Sequence, residues 1–148
     1  MSSLTGDTEG ILAVRTTTAS GEIEQSVKID LDVTGSGERA DYIRALAGRG
    51  GLTVAVSDGA VQAFCCVEDR QFFGRPFVGL LMVRETARRS GFGTALLNHV
   101  SSEHPEVWTS TNRSNRAMRN LLDTLGWLYC GELVGLDEGD PERFYKSR

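Results

Sequence analysis

At 148 residues the chain has the length of one domain, and its 40% hydrophobic and 24% charged residues are enough for a core and a hydrated surface. The formal net charge of −4 argues against general nucleic-acid binding and permits a cationic partner. No apolar run approaches the ~20 residues of a membrane span, and the opening MSSLTGDTEG has neither the basic residues nor the apolar stretch of a signal peptide, so a soluble cytoplasmic protein is expected.

In chain order, Met1 to Gly10 is small and polar and is expected to fray, with Ile11 to Thr16 as a short first strand. From Ile23 to Val33 the apolar Val27, Ile29, Leu31 and Val33 alternate with polar residues, which predicts a half-buried strand broken by Thr34-Gly35-Ser36-Gly37. Ala40 to Ala47 reads as a helix presenting Ile43, Leu46 and Ala47 on one face. Leu52 to Ser57 and Ala60 to Val67 form a hairpin about Asp58-Gly59, and the mostly polar Glu68 to Arg75 reads as a loop. Pro76 to Val83 has the composition of a strand buried on both faces, followed by a helix from Thr94 through Val100. A strand over Glu106 to Thr111 and a helix over Ser114 to Leu125 come next, the helix facing the core with Met118, Leu121, Leu122 and Leu125 and stopped by Gly126. Leu128 to Leu136 and Arg143 to Lys146 are the last strands, joined by the acidic loop Asp137 to Glu142.

Three cysteines make no disulfide framework: Cys65 and Cys66 are strand neighbours facing opposite ways, and Cys130 is far off in sequence. His99 and His104 read as capping or surface residues, and no metal-ligand spacing occurs. Trp108, Trp127 and the Phe72-Phe73 pair read as packing residues.

The chemistry-bearing stretch is Arg88-Arg89-Ser90-Gly91-Phe92-Gly93-Thr94, between the central strand and its helix. Glycine lets the backbone turn its N–H groups toward a ligand. A helix N-terminus adds free donors and the positive end of its dipole. Two arginines in a net acidic protein favour an anion, most naturally phosphate. Gly35-Ser36-Gly37-Glu38-Arg39-Ala40 is a rival match to a dinucleotide fingerprint, with Asp58 about twenty residues on. The alternating strand before it does not suit a parallel central strand, so an ordinary loop is the preferred reading.

Val83-x-x-x-x-Arg88-x-x-Gly91-x-Gly93, with its strand and helix, resembles the acetyl-CoA motif of the GNAT acetyltransferase superfamily. The likeness extends through Asn115-x-x-Met118 and Leu125-Gly126-Trp127 to the final strands, about the last two-thirds of the chain. It implies a single α/β domain over residues 1–148, with a mixed, mostly antiparallel sheet flanked by helices, the GNAT-like acyl-CoA N-acyltransferase fold. It implies acetyl-CoA as acyl donor, bound by Leu81, Met82, Val83, Arg88, Arg89, Ser90, Gly91, Phe92, Gly93, Thr94 and Asn115, with backbone groups of Leu81 and Val83 pairing the pantetheine amides. The reaction implied is direct attack of a primary amine, on a small molecule or a protein, on the thioester; nucleic acid and membrane are not expected partners, and a homodimer is left open.

The chain departs from the family pattern in two places. Leu122 stands where a tyrosine commonly protonates the departing thiolate, and Pro76 to Val83 lacks the frequent glutamate base, with Glu85 in place of a common proline. Glu68, or Asp69 beside it, could act as base through water, and Tyr129 or Tyr145 could supply the acid. Asp137, Glu138 and Asp140 lie in the loop that borders the family's acceptor site, where they could attract a cation. A non-catalytic acyl-CoA-binding or sensing module is the alternative, and a dinucleotide-binding fragment a distant third.

Overall fold

The computed structural model describes residues 12–148, so the expected frayed end at Met1 to Gly10, and Ile11 at the start of the first strand, lie outside the described residues. The order is β1 (Ala13–Thr16), α1 (Ser20–Thr34), α2 (Ala40–Gly48), β2 (Leu52–Ser57), β3 (Ala60–Phe72), β4 (Arg75–Val83), a 3₁₀ turn at Glu85–Ala87, α3 (Phe92–Glu103), β5 (Trp108–Asn112), α4 (Arg116–Thr124), β6 (Leu128–Leu133) and β7 (Glu142–Lys146). The strands form one sheet in the order β1-β2-β3-β4-β5-β7-β6. β4 and β5 pair in parallel at Phe77–Trp108 and Val78–Thr109, whereas β1–β2, β2–β3, β5–β7 and β6–β7 are antiparallel. The parallel step follows from α3, since a helical crossover returns the chain in the same direction.

Two expectations are corrected. Ile23 to Val33 is not a strand but the body of α1. Ser26, Ile29 and Asp30 are buried, and Ile23, Val27 and Val33 pack beside them, at the i, i+3, i+4 recurrence of one helical face. Leu31, which the alternating pattern placed inside, is 42% exposed. Gly35 then caps the helix at φ 74°, its N–H donating to Leu31 O. The glycines of the rival fingerprint therefore join two helices. Glu68 to Arg75, expected as a loop, is the far end of a long hairpin: β3 runs on to Phe72 and turns at Phe73-Gly74 into β4.

Smaller differences concern burial and boundaries. β4 is closed on one face only, with Val78 and Leu80 buried while Phe77 and Leu81 are half-buried and Gly79 exposed. Among the expected core residues of α4, Leu122 alone is fully buried. α3 starts at Phe92 rather than Thr94, β5 at Trp108 rather than Glu106, and β6 ends at Leu133.

The residues divide into two compact units. The first, residues 12–67 and 80–99, packs Ile29, Ile43, Leu46, Ala47, Leu52, Val54, Val61, Phe64, Cys66 and Leu80 into its core. Both neighbours Cys65 and Cys66 are fully buried, and burial pushes the Cys65 thiol up to about 12, against the opposing hydrogen bond with Thr53. Asp30, only 1% exposed, is held by the Arg39 guanidinium across the α1–α2 connection.

In the second unit, residues 68–79 and 100–148, Phe72 packs against Phe77, Trp108 and Phe144 at ring separations of 5.0, 5.3 and 5.6 Å. The next residue on β7, Tyr145, points to the opposite face and is fully buried, as are Val107 and Leu122. Trp127 is buried as well, in keeping with its packing assignment.

Gly51 joins α2 to β2 where no side chain fits. A Cβ there would lie 2.5 Å from Val67 O and 2.7 Å from Leu46 Cδ1, while its own N–H and C=O bond Leu46 O and Val67 N. Gly51→Ala should therefore destabilise the protein by about 1–3 kcal/mol, the usual scale of overpacking. Urea unfolding checks this, and an unchanged midpoint would show that the contact relaxes freely.

Candidate active site

The stretch expected to bind an anion, Arg88 to Thr94, belongs to the first unit. β3 carries a bulge opposite Ala55–Val56: Ala55 pairs with Ala63 and Val56 with Val61, leaving Gln62 as the extra residue. The bulge is held by α1, as Val61 N–H donates to Gln25 Oε1 at 2.9 Å, and by Gln62 Nε2 donating to Ser57 O at 3.0 Å. It presents two carbonyls to one residue. Arg84 N–H donates to Gln62 O at 2.8 Å, and its Nη2 donates to Val61 O at 2.7 Å. The exit of β4 is thereby fixed on a residue that sequence reading passed over; its only signal was an arginine directly after a long apolar run.

From Arg84 the chain makes its 3₁₀ turn, buries Ala87 and emerges at Arg88. Arg88, Arg89, Ser90 and Gly91 are exposed, and Phe92, Gly93 and Thr94 are half-buried in the first turn of α3. Arg89 has φ 65° and Gly91 φ 85°. The first is a strained state for a side-chain-bearing residue, of the kind concentrated at binding loops. Nothing lies within 4 Å of a Cβ built on Gly91, so its glycine is required by backbone conformation rather than by packing. The loop delivers two guanidiniums, one hydroxyl and the donors of a helix start to open surface, which suits a phosphate-bearing ligand. Leu81, Met82 and Val83, half-buried at the end of β4, precede it and lie beyond the Phe77–Val78 register with β5.

The remaining predicted residues lie in the second unit. Glu68 is half-buried and Asp69 exposed on β3. Asn115 is the N-cap of α4, its Oδ1 accepting from Met118 N–H at 3.1 Å. Tyr129 and Tyr145 come together across β6 and β7 with ring centres 5.7 Å apart, and the Arg143 guanidinium sits 4.2 Å above the Tyr129 ring. Tyr129 is 48% exposed, whereas Tyr145 is fully buried. Burial pushes the Tyr145 phenol above its ordinary value, opposed by Arg143, reinforced by Asp123 and opposed again by Arg119. It therefore holds its proton at neutral pH.

Two of the three acidic-loop carboxylates are tied to the β5–α4 connection. Asp140 accepts from Ser114 N–H at 3.0 Å and Ser114 Oγ at 2.6 Å, and Asp137 accepts from Asn112 Nδ2 at 2.8 Å. The Ser114 hydroxyl, then its N–H, holds the Asp140 carboxyl below its ordinary value. These bonds give Asp137 and Asp140 a structural use that competes with recruitment of a cation.

The family model described as "Acetyltransferase (GNAT) family" matches residues 22–127. A GNAT-family acetyltransferase from Bacillus cereus shares 30% identity, with 94% of this chain and 98% of that one covered at a TM-score of 0.88. The yncA structure from Salmonella typhimurium, solved with its cofactor acetyl-CoA, matches at 16% identity and a TM-score of 0.72, with 93% of each chain covered. A 5-NmdU N-acetyltransferase of Pseudomonas phage PaMx11 is 25% identical over 89 residues, 59% of this chain and 64% of the relative. The match thus spans less than two-thirds of that relative's length. The chain belongs to the GNAT acetyltransferase family.

Because Asp140 is more acidic in the folded state, its contribution to stability is complete above the unfolded value and is lost as pH falls through the lower folded one. The gap in Tm between the wild type and Ser114→Ala should be widest near neutrality and close as pH drops below about 3.9. Thermal scans across that range check it, and a gap independent of pH would remove Asp140 from the account.

Proposed function

We propose that this protein is an acetyl-CoA-dependent N-acetyltransferase acting on a primary amine, built as one functional domain over the whole chain. The observation that carries this reading is the exposed Arg88-Arg89-Ser90-Gly91 loop, which opens α3 in a chain of this family. Acetyl-CoA supplies an activated acetyl group as a thioester. Arg88, Arg89, Ser90 and Gly91, with Phe92, Gly93 and Thr94 in the first turn of α3, hold its phosphates, and the backbone of Leu81, Met82 and Val83 holds its pantetheine arm. In the transfer a C–N bond forms to the amine, the C–S bond breaks, the amine loses one proton and the thiolate gains one. Glu68 takes the first proton through water, and Tyr145 or Tyr129 gives the second. The two differ in access, Tyr145 being fully buried and Tyr129 half exposed, and both are carried as candidates. Positioning carries much of the rate in such a transfer, which suits a chain with Leu122 at the usual acid position.

A reducing compartment such as the cytoplasm suits Cys65, Cys66 and Cys130, none of which is in a disulfide. A homodimer has its support in the exposed Leu133, Val134 and Leu136 after the middle of β6.

Gly91→Asp should weaken acetyl-CoA binding by about two orders of magnitude, through lost charge-assisted bonds and added like charge. Calorimetry on the folded variant decides this, and unchanged affinity would remove the loop from the site. Thiol release from acetyl-CoA with a panel of amines then separates an enzyme from an acyl-CoA sensor, which would release none.

For the acid, Tyr145→Phe should lower kcat by about 10²-fold or more while acetyl-CoA affinity stays level. If Tyr129→Phe alone slows turnover, the assignment moves to Tyr129. If neither does, water is the donor.

A further inference from the structure

β4 and β5 part after a short parallel register. It ends at Val78–Thr109, and the next residues along the two strands are Gly79 and Ser110. Gly79 is exposed, and being glycine it puts no side chain on the central strand at that level. Leu81, Met82 and Val83 follow on β4, beyond the register, and on the reading above they hold the pantetheine arm. An arm laid along β4 from Val83 ends where β5 takes up the pairing, which brings the thioester to the level of Gly79 and Ser110.

One carboxylate stands at that level. Trp108 pairs with Lys146, Ser110 with Phe144 and Asn112 with Glu142, so these residues share one face of the sheet. Ser110 Oγ donates to Glu142 Oε2 at 2.7 Å, which fixes a half-buried carboxylate beside the parting of the strands. Among the described residues, its other oxygen accepts no hydrogen bond and neither oxygen has an ion pair. Its neighbours differ: Glu132 is held by Arg113, Glu106 by Arg75 and Trp108, and Asp140 by Ser114. Arg143, next in the chain, turns to the opposite face and lies over Tyr129. Lys146 lies over the Trp108 ring, beyond Phe144 on the same face. A half-buried carboxylate without a counter-ion is a place for a cation. Beside it Phe72 packs on Phe77 and Phe144, giving an aromatic floor within the same unit.

We propose that Glu142 docks the acceptor, its unpaired oxygen receiving the ammonium of a monoamine whose aromatic body lies on Phe144, Phe72 and Phe77. The nitrogen is then held beside Ser110, at the level of the thioester. Its proton leaves by the route given above, so Glu142 binds and orients without altering the balance of the transfer. A second ammonium on the body would be desolvated over the rings and meet Lys146, so the site favours one charge over two. This rests on the acetyl-transfer reading and names the acceptor class for it. It places amine recognition on β7 rather than on Asp137 and Asp140, which the β5–α4 connection already occupies.

Three acceptors test the proposal: 2-phenylethylamine, n-butylamine and 1,4-diaminobutane. With the wild type, KM should rise about tenfold from 2-phenylethylamine to n-butylamine, the scale of one buried aromatic ring, and further for the diamine. Glu142→Gln should raise KM about tenfold for 2-phenylethylamine and n-butylamine alike, while acetyl-CoA affinity stays level. Phe144→Leu should raise KM for 2-phenylethylamine and leave n-butylamine unchanged. Calorimetry with coenzyme A present gives a readout independent of turnover and of any variant. There the wild type should bind 2-phenylethylamine about tenfold or more tightly than the uncharged 2-phenylethanol, and in Glu142→Gln that gap should close. Equal binding of the amine and the alcohol by the wild type, or a wild-type preference for 1,4-diaminobutane, overturns the proposal while transfer itself stands. So does an unchanged KM in a Glu142→Gln protein of normal Tm. No acetyl-CoA binding, or no thiol release with any amine, overturns the underlying reading as well.

Discussion

The exit of β4 depends on one residue's grip on a bulge. Two carbonyls released from the regular β2–β3 ladder at Val61 and Gln62 receive the Arg84 guanidinium and its N–H. A regular ladder would have spent those carbonyls on the neighbouring strand. The bulge is secured in turn by Gln25, reaching from α1 to Val61 N–H. A helix side chain, a strand irregularity and the start of the anion loop thus form one connected support. Loops that bind ligands need such rigid footing, because the loop backbone has few partners of its own.

Downstream of that support the chain accepts local costs. Arg89 occupies the left-handed region without being glycine, and α1 ends in two acidic residues against its own dipole. Asp30 is compensated within the fold by Arg39, and Asp32 by the exposed Lys28. Departures from local preference that lack such compensation, as at Arg89, are where function is expected to reside. Asp140 illustrates the opposite case. Its charge reads as ligand-seeking in the sequence, yet Ser114 occupies both of its oxygens and holds its carboxyl below the ordinary value.

Family membership does not carry the catalytic groups with it. Leu122, which the sequence resemblance aligns with the family's usual acid, is a wholly buried hydrocarbon side chain with no proton to donate. Tyr145 is buried and keeps its proton, and Tyr129 lies under Arg143. These are chemically able substitutes, supported by environment rather than by position in a motif.

Much of the central and C-terminal chain was legible because its signals are local. Leu52 to Ser57 with the Asp58-Gly59 turn, the apolar Pro76 to Val83 and the helix that follows the Arg88–Gly91 turn each follow from neighbouring residues. The α1 segment was misread because Val27, Ile29, Leu31 and Val33 satisfy a period of two. The true face, through Ile23, Ser26, Ile29, Asp30 and Val33, includes a serine and an aspartate that apolar counting leaves out. A buried aspartate is intelligible only once Arg39 is brought to it. What the residues alone determined was the order of most elements and the place of the exposed arginine-glycine loop before α3, for which short-range periodicity and turn chemistry suffice. Only the tertiary structure decided that Ile23 to Val33 is helical and that Arg84 grips a bulge. Those depend on contacts between residues tens of positions apart, which no local pattern encodes.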